Sequence, residues 1–100
     1  MNFLVSLTLI IGEYEKSSKM LVIDAPDRIG AGKFALTLEC HGNAYFDEEC
    51  PDSRVWDCGG EMAYKVSSIE PVTDDDLLVL KRFMNWHEFY DPEEALRDLD

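Results

Sequence analysis

The sequence predicts an α+β fold: a small antiparallel sheet of three to four strands with two helices packed on one face, in the order β-β-α-(β)-β-α. Three observations carry this. Phe3–Ile11 alternates with the two-residue period of a strand. Two helix starts, Asp24-Ala25-Pro26-Asp27 and Thr73-Asp74-Asp75-Asp76, precede apolar runs. The 100 residues are 46% apolar and 30% charged, which suits a single domain with a core of its own. Met1 reads as the natural start, so residues 1–100 are taken as one complete domain.

Each element has a local reason. Phe3, Val5, Leu7, Leu9 and Ile11 form one face of the first strand. Leu4, Ser6, Thr8 and Ile10 form the other, half apolar, which places the strand near the middle of the sheet. Gly12 ends it. Tyr14 to Lys19 is polar, with Ser17-Ser18 read as the turn, and Met20–Ile23 returns as the hairpin partner. Asp24 caps a helix over Pro26–Cys40, and Asp27 favours the positive end of its dipole. Residues 33–41 also alternate like a strand. Gly30 and Gly32 count against a helix, while the proline start and the Gly42-Asn43 stop bracket one, and helix is the reading adopted. A strand from Lys33 is the alternative.

Gly42 to Gly60 reads as loop, with Tyr45-Phe46 and Val55-Trp56 as short strands or anchors within it. Glu61–Ile69 reads as a strand, with a bulge at Ser67-Ser68 that turns Ile69 and Val72 inward. Thr73 and Asp76 then cap a helix over Asp74–Trp86. Asp91-Pro92 opens a short last helix. The predicted core is Val5, Leu7, Leu9, Leu21, Ile23, Ile29, Leu36, Val66, Leu77, Leu80 and Met84.

Charge narrows the function. Twenty-one acids against nine bases give a net charge of -12. That disfavours direct contact with nucleic acid, which needs Lys and Arg to displace counterions, and disfavours docking on anionic lipid. Three cysteines, an odd number, fit reduced thiols in the cytoplasm. The apolar N-terminus has no base before Lys16 and no small-residue cleavage site, so it reads as a strand and not as a signal peptide.

No catalytic pattern is complete. Ile29-Gly30-Ala31-Gly32-Lys33 has the end of a phosphate loop, but Asp27 stands where its first glycine belongs and Phe34 where its Ser or Thr belongs. His87-Glu88-Phe89-Tyr90-Asp91 matches a zinc-protease helix only at its first two residues. The acids lack the spacing of a calcium loop. No nucleophile, base and orienting group can be named together, so an enzyme is disfavoured and no cofactor is expected. Cys40, His41, Cys50 and Cys58 supply the donor types of a zinc site, without a Cys-x-x-Cys pair. They form the alternative of a metal-stabilised structural module.

The acids bunch at Asp47–Asp57, Asp74–Asp76 and Asp91–Asp100, and two bunches adjoin aromatics. An aromatic anchor within a charged rim is a hot-spot composition. The predicted partner-binding residues are Asp47, Glu48, Glu49, Asp52, Trp56, Asp57, Glu88, Phe89, Tyr90 and Asp91. A negative face of this kind steers a basic partner and can occupy a site built for nucleic acid.

In length, charge, β-β-α-β-α order and the acid–aromatic stretches Tyr45–Asp57 and Trp86–Asp91, the chain resembles the small acidic anti-defence proteins of bacteriophages and mobile elements, anti-CRISPR proteins among them. The resemblance rests on composition and architecture, and no motif aligns residue by residue. It implies a non-enzymatic inhibitor that binds a basic protein or ribonucleoprotein complex, in the host cytoplasm if phage-encoded. Immunity proteins that neutralise a basic toxin share the same physics. A homodimer joined by exposed sheet edges is a further alternative.

Overall fold

The computed structural model describes residues 1–99, so Asp100 of the last acid bunch lies outside the described residues. Six strands form one curled, mixed sheet: β1 (Phe3–Ile11), β2 (Tyr14–Ile23), β3 (Tyr45–Phe46), β4 (Arg54–Asp57), β5 (Met62–Pro71) and β6 (Trp86–Glu88). Their order is β3-β4-β5-β1-β2-β6. All neighbours run antiparallel except β2 and β6, which are parallel. Three short helices complete the chain: α1 (Arg28–Glu39), α2 (Asp74–Leu80) and α3 (Pro92–Arg97). This corrects the expectation of three to four antiparallel strands under two helices.

The predicted first strand is present and central. Its hairpin turns at Gly12-Glu13, not at Ser17-Ser18, because Ile11 pairs with Tyr14 and Gly12 supplies the positive φ of a tight two-residue loop. The polar run from Tyr14 is therefore strand, exposed over most of its first half. The bulge lies where the serines predicted it. Ser6 pairs with Ser68 and Leu7 with Val66, so Ser67 is the extra residue.

Residues 33–39 are helical. Asp27, not Asp24, is the N-cap, its Oδ1 accepting from the Gly30 N–H at 2.6 Å. Gly32 lets α1 approach β5 closely. A Cβ there would lie 2.9 Å from Ile69 Cδ1 and 3.3 Å from Val66 Cγ2. The inner face of the sheet and α1 build the core from Phe3, Val5, Leu7, Val22, Phe34 and Leu36, and Leu96 of α3 closes it.

Of the predicted core, Val5, Leu7, Leu21, Ile23 and Leu36 are buried, and Leu9 and Val66 pack against the core half-buried. Ile29 is 55% exposed, because it precedes Ala31, the first buried residue of α1. Leu77, Leu80 and Met84 are half-buried but lie outside the core cluster. The predicted helix over Asp74–Trp86 stops at Leu80. A few tight turns follow, and Trp86–Glu88 joins the sheet beside Leu21–Ile23. Among the described residues no helix is long and apolar enough to cross a membrane.

Candidate functional site

Asp47 and Trp56 were predicted to meet a partner, and they meet each other. The Trp56 indole N–H donates to Asp47 Oδ2 at 2.8 Å. Asp47 Oδ1 accepts from the backbone N–H groups of Glu49 and Cys50 at 2.8 and 3.1 Å. The indole hydrogen bond foremost, with those backbone bonds, holds the Asp47 carboxyl down at about 2. Asp47 therefore builds the β3–β4 loop, and the bent loop leaves Glu48, Glu49 and Asp52 exposed.

Lys33 of α1 then joins two acid stretches that lie far apart in sequence. Its Nζ is 3.2 Å from Glu93 Oε1 on α3 and 4.0 Å from Asp52 Oδ1 on the loop, and it sits 4.5 Å over the Phe46 ring. One cation thus gathers the loop and α3 onto α1. Asp91 caps α3, its Oδ1 accepting from the Glu94 N–H at 3.1 Å, which sets Glu93 and Glu94 in the first turn. Tyr90 is exposed, and Glu94, through hydrogen bonding first and then its charge, raises the phenol pKa. A hollow of about 140 Å³ lies between Ala44 and α3, lined by Glu93, Leu96 and Arg97.

The other predicted residues divide. Glu88 is exposed on β6. Phe89 is half-buried against the core, edge-on to Phe34 with ring centroids 5.6 Å apart. Asp57 is completely buried and serves as a staple. Its Oδ1 accepts from the N–H groups of His41 and Gly42 at 3.0 and 3.2 Å, and its Oδ2 accepts from His41 Nδ1 at 2.8 Å. An ionised carboxylate can only accept, so Nδ1 carries the proton. Burial alone would raise the Asp57 pKa; the bonds from the His41 ring and from the backbone of His41, Gly42 and Cys58 outweigh it and leave the value lowered.

The four expected zinc ligands do not form one donor set. The buried Cys40 thiol donates to Leu36 O at 3.3 Å, and burial pushes it up to about 12. Cys50 is half-buried on the β3–β4 loop, where its backbone N–H is given to Asp47 Oδ1 at 3.1 Å. Among the described residues the close donor set is His41, Asp57 and Cys58, within 4.8 Å of one another. Asp57 already accepts from the backbone N–H groups of His41 and Gly42 and from the His41 ring, so the three residues act as a polar clasp that closes the α1–β3 connection against β4. Cys58 is exposed with a raised thiol pKa, from desolvation first and then the neighbouring Asp57 charge. That is the reverse of an activated nucleophile.

Sequence reasoning missed Lys33, Glu93 and Glu94. The available signal was that Lys33 is the sole Lys or Arg between Arg28 and Arg54, flanked by acid runs. Comparisons with protein-family models, curated proteins and solved structures returned no match.

Proposed function

We propose that this chain is a non-enzymatic acidic binding protein that inhibits a basic partner, of the kind that handles nucleic acid. The observation that carries the reading is the Lys33 clamp, which brings Asp52 and Glu93 to one cation. Asp52 and Glu93, 41 positions apart in sequence, thereby share one side of the molecule, and Tyr90 interacts with the neighbouring Glu94. Opposite charge on a partner would be steered to this side and held by an aromatic within a charged rim. The resemblance to anti-CRISPR proteins points the same way, and a basic toxin is the second partner class with matching chemistry. Three free cysteines suit the cytoplasm, of the host cell if the chain is phage-encoded.

The test is capture from a cell extract at low and high salt, followed by kinetics on the captured protein. Reversal of Glu48, Glu49 and Asp52 to Lys should slow association about tenfold at low salt and less at high salt. Asp47 is left intact, because its carboxylate accepts the bonds that shape the loop. A captured partner whose association rate ignores both the reversals and the salt would sink the reading.

A further inference from the structure

The segment from Asp74 to Trp86 carries an apolar face that nothing in the chain covers. α2 buries none of its residues. Leu78 is 70% exposed, Val79 53%, Phe83 75% and Trp86 43%. Exposure of four large apolar side chains within one short segment is the mark of an interaction surface. The charges around it say what fits. Asp74 stands four residues before Leu78 and Arg82 four after it; Asp75 stands three before and Lys81 three after. Spacings of three and four lie along one side of a helix, and the tight turns through Met84 prolong that side. The stripe therefore reads acid, apolar, base, and is symmetric in position about Leu78 with opposite sign at its two ends.

A surface of that pattern is complementary to its own copy turned end for end. We infer that the α2 face is an isologous interface with a second copy of this chain, α2 antiparallel to α2 across a two-fold axis at Leu78. Leu78 meets its counterpart on the axis, Asp74 meets Lys81 of the copy, and Asp75 meets Arg82, each pair occurring twice. Lys81 and Arg82 are already held at the margin by the face's own rings: Lys81 Nζ lies 4.1 Å from the Trp86 ring centroid and Arg82 5.6 Å from that of Phe83. A partner of uniformly basic surface would meet Lys81 and Arg82 as like charges, so the second copy fits this face better than the basic partner proposed for the acid stretches joined by Lys33.

Sedimentation velocity on the intact chain over a wide concentration range tests this. The expected result is a monomer–dimer equilibrium that Leu78→Asp weakens by roughly 30-fold or more, the size of a central hot-spot loss. Asp74→Lys alone and Lys81→Asp alone should each be monomeric, since each opposes like charges across the axis. Mixed together they should form a heterodimer, because every Lys then faces an Asp. Circular dichroism of each variant checks that the fold is kept. A parent chain that stays monomeric throughout overturns the inference, and so does a mixture that associates no better than its components. A dimer indifferent to Leu78→Asp but lost on His87→Pro would assign the contact to the β6 edge and equally overturn it.

Discussion

α2 and α3 begin alike and end differently. Each has a side-chain cap, Thr73 accepting from the Asp76 N–H and Asp91 from the Glu94 N–H, and each has an acidic first turn. α3 seals the core with Leu96 and is tied by Lys33 to the acidic loop. α2 fully buries none of its residues and presents Leu78 and Val79 to solvent, with Phe83 exposed just beyond its end. Capping chemistry therefore dictates where a helix starts, and only the packing around it decides what the helix is for. In this molecule one helix organises a charged surface and the other leaves an apolar one open.

Matched truncations give the sharpest contrast. Leu96→Ala should cost about 3 kcal/mol in denaturant unfolding, the usual loss for a buried leucine. Leu78→Ala should stay within about 0.5 kcal/mol when the chain is dilute enough to be monomeric. Equal effects would erase the distinction between the two helices.

Asp57→Ala probes the clasp beneath the acidic side. It removes a buried charged acceptor and leaves the N–H groups of His41 and Gly42 without one, so a loss of about 3 kcal/mol is expected. The pH dependence has a fixed sign. Asp57 and Asp47 both have lowered folded-state pKa values, so their contribution is complete above about pH 4, the ordinary aspartate range. It is lost as pH falls through the folded values, about 2 for Asp47. Acid unfolding monitored from pH 5 down to pH 2 should flatten in Asp47→Asn. An unchanged acid limb would mean that the Trp56–Asp47 bond contributes nothing.

The smallest effect belongs to Lys33→Met, which keeps the apolar stem and removes the charge. Its carboxylate partners are well exposed, so the global cost should be about 1 kcal/mol or less. The local readout is hydrogen exchange. Amides of residues 47–53 should exchange faster while those of β1 do not change. Uniform exchange across both would show that Lys33 does not gather the loop.

Both faces also answer salt in opposite directions. Association of the acidic side with a basic partner weakens as salt rises. A dimer through α2 brings two chains of -12 to centres about two radii of gyration apart, each 13.0 Å. Their unscreened repulsion is roughly 20 kcal/mol, against about 1 kcal/mol for each close pair in water. Screening should therefore strengthen the dimer between low and physiological salt.

Much of this was legible in the sequence. Phe3–Ile11 declared itself by alternation, Ser67-Ser68 by its interruption of a strand, and Thr73 and Asp91 by cap chemistry. Three features were not. Tyr14 to Lys19 shows no alternation because its two faces are both mostly exposed, so only the Gly12-Glu13 turn betrays the strand. Leu77, Leu80 and Met84 keep a helical spacing although they meet no core, because Leu78, Val79 and Phe83 make the segment apolar on its other side too. Asp47 and Asp57 look like their acidic neighbours. Whether such a carboxylate faces water or a ring of N–H donors depends on contacts that arise only when distant segments meet.

The margins of the sheet carry one more consequence. β3 offers two residues and β6 three, and the stretch of β2 beyond β6 is studded with Glu15, Lys16 and Lys19. Short or charged rims give a neighbouring chain few free amides to zip onto. A molecule with so much uncovered leucine and phenylalanine should accordingly remain clear in concentrated solution, forming discrete pairs where a bare-edged sheet would grow into fibres.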